Sequence, residues 1–176
     1  MRTLSLTLLS AFALAGCAST PTGPTFSEHR TGLKPVGASE ARLYFYRALE
    51  PKVFYGATAS IKIDGSEVTG CEYGGFTLTD VAPGAHSVIV ATQHGLLSAV
   101  CTLQTQIAGG NEYYFEIKPR NESYQAGSSY TGLGPAAVLA AASAESAGKV
   151  CGGNFSVEAV PPEIALQRIS SLRLAK

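Results

Sequence analysis

Between Arg42 and Ile117 the chain alternates apolar and polar residues in short runs, each ending at a turn that carries glycine or proline. Successive side chains of a strand point to opposite faces, so runs of this kind make strands with one face buried. Arg42-Leu43-Tyr44-Phe45-Tyr46-Arg47 places Leu43 and Phe45 on one face and Tyr44 and Tyr46 on the other. Both faces carry bulk, which predicts a strand covered on both sides or lying beneath a loop. Ser60 to Ile63 turns Ile61 and Ile63 inward and Lys62 outward, and it ends at Asp64-Gly65, residues that tolerate the positive φ of a tight turn. Phe76 to Thr79 alternates again, Val81-Ala82-Pro83-Gly84 predicts a second turn, and His86 to Ala91 begins a further strand. Ala99, Cys101, Leu103 and Ile107 share one face of the next. Gly109-Gly110-Asn111 predicts a hairpin turn, after which Tyr113, Phe115 and Ile117 point inward and Glu112 and Glu116 outward as solvating charges. Short strands joined by glycine-rich turns, with no helices between them, predict an all-β fold, an antiparallel β-sandwich.

The C-terminal third adds less. Asn154 to Val160 reads as the last strand, Pro161-Pro162 blocks its extension, and Glu163 to about Leu172 has helical spacing. Ile164, Ile169 and Leu172 are expected to dock this short C-terminal helix on the sandwich. Before this last strand lies an insertion at 120–149. Its first half, to Pro135, is polar and glycine-rich, and Ala136 to Ala142 has high helix propensity but few large side chains to fasten it. It reads either as a partner-contacting loop with a weak helix or as a tolerated surface insertion.

The N-terminus sets location. Arg2 precedes an apolar run from Leu4 to Leu14, and small residues abut a cysteine at Leu14-Ala15-Gly16-Cys17. The first part has the architecture of a secretory signal peptide. With the cysteine it resembles the lipobox of bacterial lipoproteins, in which a peptidase cuts before the cysteine and acyl chains, palmitate among them, are attached to it. The resemblance implies a signal peptide at 1–16, lipid attachment at Cys17, and a membrane anchor of more than one acyl chain, since one chain alone holds only marginally. Ala18 is not the aspartate that retains enterobacterial lipoproteins at the inner membrane, so the cell outer membrane, facing the periplasm, is the expected address. Residues 17–39, rich in Ser, Thr, Pro and Gly, predict a flexible tether, and 40–176 a single domain. Thirteen basic residues balance thirteen acidic ones, which gives no bulk attraction to nucleic acid or to anionic lipid.

Ile61-Lys62-Ile63-Asp64-Gly65, followed by Val81-Ala82-Pro83-Gly84-Ala85-His86, is similar to the core of PEGA-type domains, which implies a PEGA-like, transthyretin-like sandwich. Over Ala41 to Ile117 the chain also resembles a domain of unknown function found in many bacterial lipoproteins. Thr69-Gly70-Cys71-Glu72-Tyr73-Gly74-Gly75 departs from the PEGA pattern of Gly-x-Thr-Pro. The family has no established catalytic residues, so the resemblance implies fold and location only.

With Cys17 taken by lipid, three cysteines remain in an oxidising compartment, and at most one bridge forms within the chain. Cys71–Cys101 closes the shorter loop and is the first expectation; Cys101–Cys151 is the alternative. The third thiol either cross-links a second copy or is buried and inert. The spacings match no zinc pattern, and neither a metal nor a cofactor is expected. His86, within Pro-Gly-x-His, reads as turn chemistry or packing, and His94 has no nameable partner. Tyr44, Tyr46 and Tyr114 fall on the polar parity of their strands and form the candidate interaction surface, unless a helix or loop covers them. The expected function is a non-enzymatic, lipid-anchored interaction or assembly module of the periplasm and outer membrane, with an unidentified envelope protein or glycan as partner. The alternative is a small-ligand or glycan-binding lipoprotein whose site lies between the tyrosine face and the insertion. A third reading, an envelope hydrolase, requires His86 or His94 within reach of a nucleophile.

Overall fold

Bulk on both faces of the first strand is matched by burial on both faces. Every residue of β1 (Ala41–Tyr46) is buried, because β1 is the middle strand of a sheet with layers above and below it. The computed structural model describes residues 20–92, 100–120, 151 and 153–175. The remaining strands are β2 (Ala59–Ile63), β3 (Ser66–Cys71), β4 (Gly75–Val81), β5 (Gly84–Thr92), β6 (Val100–Ile107), β7 (Glu112–Pro119), β8 (Phe155–Val160) and β9 (Arg173–Leu174). One sheet has the order β8-β7-β1-β4-β9 and the other β3-β2-β5-β6. Among the described residues there are also two short helices, α1 (Phe26–Thr31) and α2 (Pro162–Ile169).

The sandwich core follows the predicted alternation. Leu43, Phe45, Phe115, Ile117 and Phe155 from the first sheet meet Ile61, Val88, Val90, Cys101 and Ile107 from the second, all buried. The Phe45 and Phe115 rings stack with centroids 5.1 Å apart. Asp64 and Gly65 have positive φ, 51° and 83°, as a two-residue β2–β3 turn requires. The stretch from Thr69 to Gly75 that departs from the PEGA pattern is the end of β3 and a turn into β4.

The strand pairing is not wholly antiparallel. β7 lies parallel to β1, with Tyr44 beside Tyr114, and β9 lies parallel to β4. The cause is the Gly109-Gly110-Asn111 turn, which is not a hairpin: it carries the chain from β6 in the second sheet to β7 in the first. Gly110 has φ 76°, but Gly109 is required for close approach. A Cβ there would lie 2.0 Å from the Ala38 carbonyl oxygen and 2.9 Å from Pro83 Cγ.

The outer face of the first sheet holds a second core, where Tyr44, Tyr46, Phe76, Tyr114 and Val160 are covered by Phe26 of α1, by Ala165 and Ile169 of α2, and by Leu172. From residue 20 onward, the predicted tether is therefore corrected. Thr25-Phe26-Ser27-Glu28 forms a capping box, in which the Thr25 N–H donates to Glu28 Oε2 at 2.8 Å and the Glu28 N–H donates to Thr25 Oγ1 at 3.3 Å. The box starts α1, and Phe26 drives it onto the sheet edge-on to Tyr44 and Phe76, both at 5.4 Å. In α2 the docking residues are Ala165 and Ile169, four apart on one face, followed by Leu172. Ile164 is one position off that face and is 41% exposed, against expectation.

The disulfide joins Cys101 to Cys151, and Cys71 is a buried free thiol. The first-expected pair, Cys71–Cys101, is excluded by strand order. Cys71 ends β3 and Cys101 lies on β6, at opposite edges of one sheet with β2 and β5 between them. Three strand spacings of about 4.8 Å exceed the ~7 Å Cα limit of a disulfide.

Candidate functional site

Tyr44 and Tyr46 are 0% exposed and Tyr114 is 2% exposed, so the tyrosine face predicted as an interaction surface is an interior layer. The parity assignment places the three rings together, and the two helices cover them. Tyr44 and Tyr114, neighbours on β1 and β7, stack at 5.0 Å and 9°. Their hydroxyls donate to Glu112, Tyr44 at 3.2 Å and Tyr114 at 2.9 Å, and Arg30 of α1 donates to the same carboxylate at 2.9 Å. Burial, then the Glu112 charge, pushes the Tyr44 phenol up to about 12. The Tyr114 phenol is raised likewise, first by burial and then by its bond to Glu112. Both phenols remain protonated donors.

Glu112 and Glu116 share an outward face by parity, yet neither is simply solvated. Glu116 is buried and receives Arg168 of α2, with Lys118 at 3.4 Å and Lys118 paired in turn with Glu158. Each glutamate therefore sockets one covering helix, Glu112 holding α1 through Arg30 and Glu116 holding α2 through Arg168. Within the sheet Arg42 of β1 makes a two-pronged pair with Asp80 of β4, 2.7 and 2.8 Å, and donates to the Lys34 carbonyl at 3.0 Å. Arg30 and Arg168 fasten helix to sheet, whereas Arg42 ties strand to strand.

The turn motifs bring a second group together. His86 Nδ1 lies 2.6 Å from Asp64 Oδ2, and Nε2 lies 2.8 Å from the Ala82 carbonyl oxygen. The Ser87 N–H donates to Asp64 Oδ1 at 2.9 Å, and the Asp64 N–H donates to the Ser87 carbonyl at 2.9 Å. With both ring nitrogens engaged by oxygens of the turn framework, His86 is not placed to take a proton from a nucleophile. Beside it a surface groove of about 510 Å³ runs between β3 and β4, lined by Asp64, Glu67, Val68, Leu78, Val81 and His86 among others.

A third group was not legible as a site in the sequence. Arg47, at the end of β1, is buried and donates to the carbonyls of Ala57, Cys71 and Phe54, and its guanidinium lies 4.4 Å above the Phe155 ring. Burial lowers its pKa, because a desolvated cation is disfavoured. The carbonyls it gathers fix the β1–β2 loop, where Phe54 sits at φ 54°, an uncommon conformation for a bulky residue. Tyr73 ties the same loop through a bond to the Leu49 carbonyl. The loop presents Leu49, 50% exposed, and Tyr55, 64% exposed.

No protein-family model matches this chain, and no curated protein matches its sequence.

Of the residues singled out in the sequence, Cys17, His94 and nearly all of the insertion lie outside the described residues. Among the described residues, no group of three or more His, Cys, Asp or Glu side chains is placed to hold a metal ion. The capping box at Thr25 and Glu28 is the one signal in the sequence that announces α1. The roles of Arg47 and Glu112 are not legible locally, because partners such as Cys71 for Arg47 and Tyr44 and Arg30 for Glu112 come from other elements.

Proposed function

We propose that this protein is a lipid-anchored, non-enzymatic module of the bacterial envelope that contacts another envelope protein. The observation that carries the reading is Leu14-Ala15-Gly16-Cys17 behind Arg2 and its apolar run. Among the described residues no helix is long and apolar enough to cross a membrane. The resemblance to lipoprotein domains over Ala41 to Ile117 favours the same assignment, and Ala18 favours the outer membrane.

The glycan-binding alternative loses the platform it was built on, since the stacked tyrosines lie beneath the helices. The hydrolase reading loses His86 as its base, since both ring nitrogens are engaged. For the contact surface we assign the β1–β2 loop. Leu49 and Tyr55 offer apolar area and a phenolic tip on a loop that Arg47 holds in one shape, so little ordering entropy remains to be lost on binding.

The test is cross-linking in intact cells from a photoreactive residue at position 55, with Cys17→Ala as the mislocalised control. Capture of one envelope protein that disappears in the control supports the module and its surface. Absence of any cross-linked partner from this loop, with the protein correctly anchored, overturns the surface assignment.

A further inference from the structure

We propose that His86 is an imidazolium clasp whose ring protons hold the β2–β3 turn and the β4–β5 crossover together, so that raising the pH releases the crossover at the mouth of the adjoining groove. The geometry makes the case. Both atoms facing the ring are acceptors: Ala82 offers a carbonyl oxygen at 2.8 Å, which cannot donate, and Asp64 offers a carboxylate oxygen at 2.6 Å. Two ring nitrogens against two acceptors are satisfied together only when both carry hydrogen. The other Asp64 oxygen is occupied by the Ser87 N–H at 2.9 Å, which favours the ionised carboxylate.

The clasp joins parts that are far apart in the chain. Asp64 belongs to the turn between β2 and β3, whereas Ala82 lies where the chain leaves β4 in the first sheet for β5 in the second. A neutral imidazole has one N–H and must turn a lone pair toward one of the two oxygens. The crossover bond to Ala82 is the one surrendered, because Asp64 carries the charge. Charged groups on the surrounding elements are few, and among the described residues lining the groove there is no competing cation. Asp64 comes from the turn, Glu67 of β3 lines the same groove, β6 places uncharged Thr105 opposite, and Asp80 of β4 is committed to Arg42.

The sign follows from linkage. The bond to Asp64, then the Ala82 carbonyl, raises His86 above its ordinary 6.5. Its contribution to stability is complete below 6.5 and is lost as pH rises through the raised value. Asp64 is lowered from its ordinary 3.8, first by the Ser87 N–H and then by His86, so its contribution is present above 3.8 and is lost only as pH falls through the lowered value. The clasp is therefore whole between those two ordinary values and opens on the alkaline side.

The test is nitrogen-15 NMR of the full chain with labelled histidine, with the His86 signals assigned by their loss in His86→Gln. The expected result is both ring nitrogens protonated at pH 6, a midpoint above 6.5, and faster exchange of the crossover amides of Ala82 and Gly84, after correction for intrinsic rate, as pH passes that midpoint. Asp64→Asn lowers the midpoint. One unprotonated ring nitrogen at pH 6, or a wild-type midpoint at or below 6.5, overturns the clasp without recourse to any variant.

Discussion

At the residue scale, burial decides what each polar side chain does. Arg47 spends its donors on three backbone carbonyls and faces no carboxylate in those bonds. Arg47→Met removes a costly buried cation but strands those carbonyls, and the net loss is expected to be about 2 kcal/mol by urea unfolding. Cys71 is the opposite case, a buried thiol that burial pushes up to about 12. The thiolate is the reactive form, so mass spectrometry after iodoacetamide treatment is expected to find Cys71 unmodified in the native protein and alkylated in denaturant. Labelling in the native state would show that the strand end carrying it opens.

At the scale of elements, each helix is held by apolar anchors and one carboxylate socket, Phe26 with Glu112 for α1 and Ala165 and Ile169 with Glu116 for α2. Phe26→Ala is expected to cost about 3 kcal/mol of α1 docking, read as increased hydrogen exchange in β1 and β7 around Tyr44 and Tyr114. Unchanged protection there would mean that α1 does not cover the sheet. Gly109→Ala drives a Cβ into the Ala38 carbonyl and is expected to destabilise the protein by about 2 kcal/mol in the same unfolding assay. Alternation made the strands legible: Leu43 and Phe45 face one way, Tyr44 and Tyr46 the other, and each set is buried. What alternation cannot say is which layer buries a face, so the tyrosines looked available until α1 and α2 were placed. Turn residues carry a similar ambiguity. Gly-Gly-Asn meets the backbone demands of a hairpin and of an inter-sheet crossing alike, and only the position of β7 beside β1 separates them. The disulfide was undecidable from spacing because strand order, not loop length, sets which sulfurs can meet.

At the scale of the whole molecule, the described residues stack in three layers: the helices α1 and α2, a five-stranded sheet and a four-stranded sheet. β1 serves both cores, which couples the helical layer to the sandwich. The Cys101–Cys151 bond spans 50 positions of sequence and closes the side where β6 approaches β8. Reduction is expected to lower stability by about 3 kcal/mol, measured as the shift in urea midpoint with and without reductant. In the proposed reading of a lipid-anchored module, location depends on one residue, Cys17. The decisive measurement is metabolic labelling with an alkyne fatty acid, followed by separation of inner and outer membranes, for the wild-type chain and Cys17→Ala. The account predicts label and outer-membrane recovery for the wild type and loss of both in the variant. A wild-type chain without label, or a labelled Cys17→Ala chain still in the membrane, would contradict it.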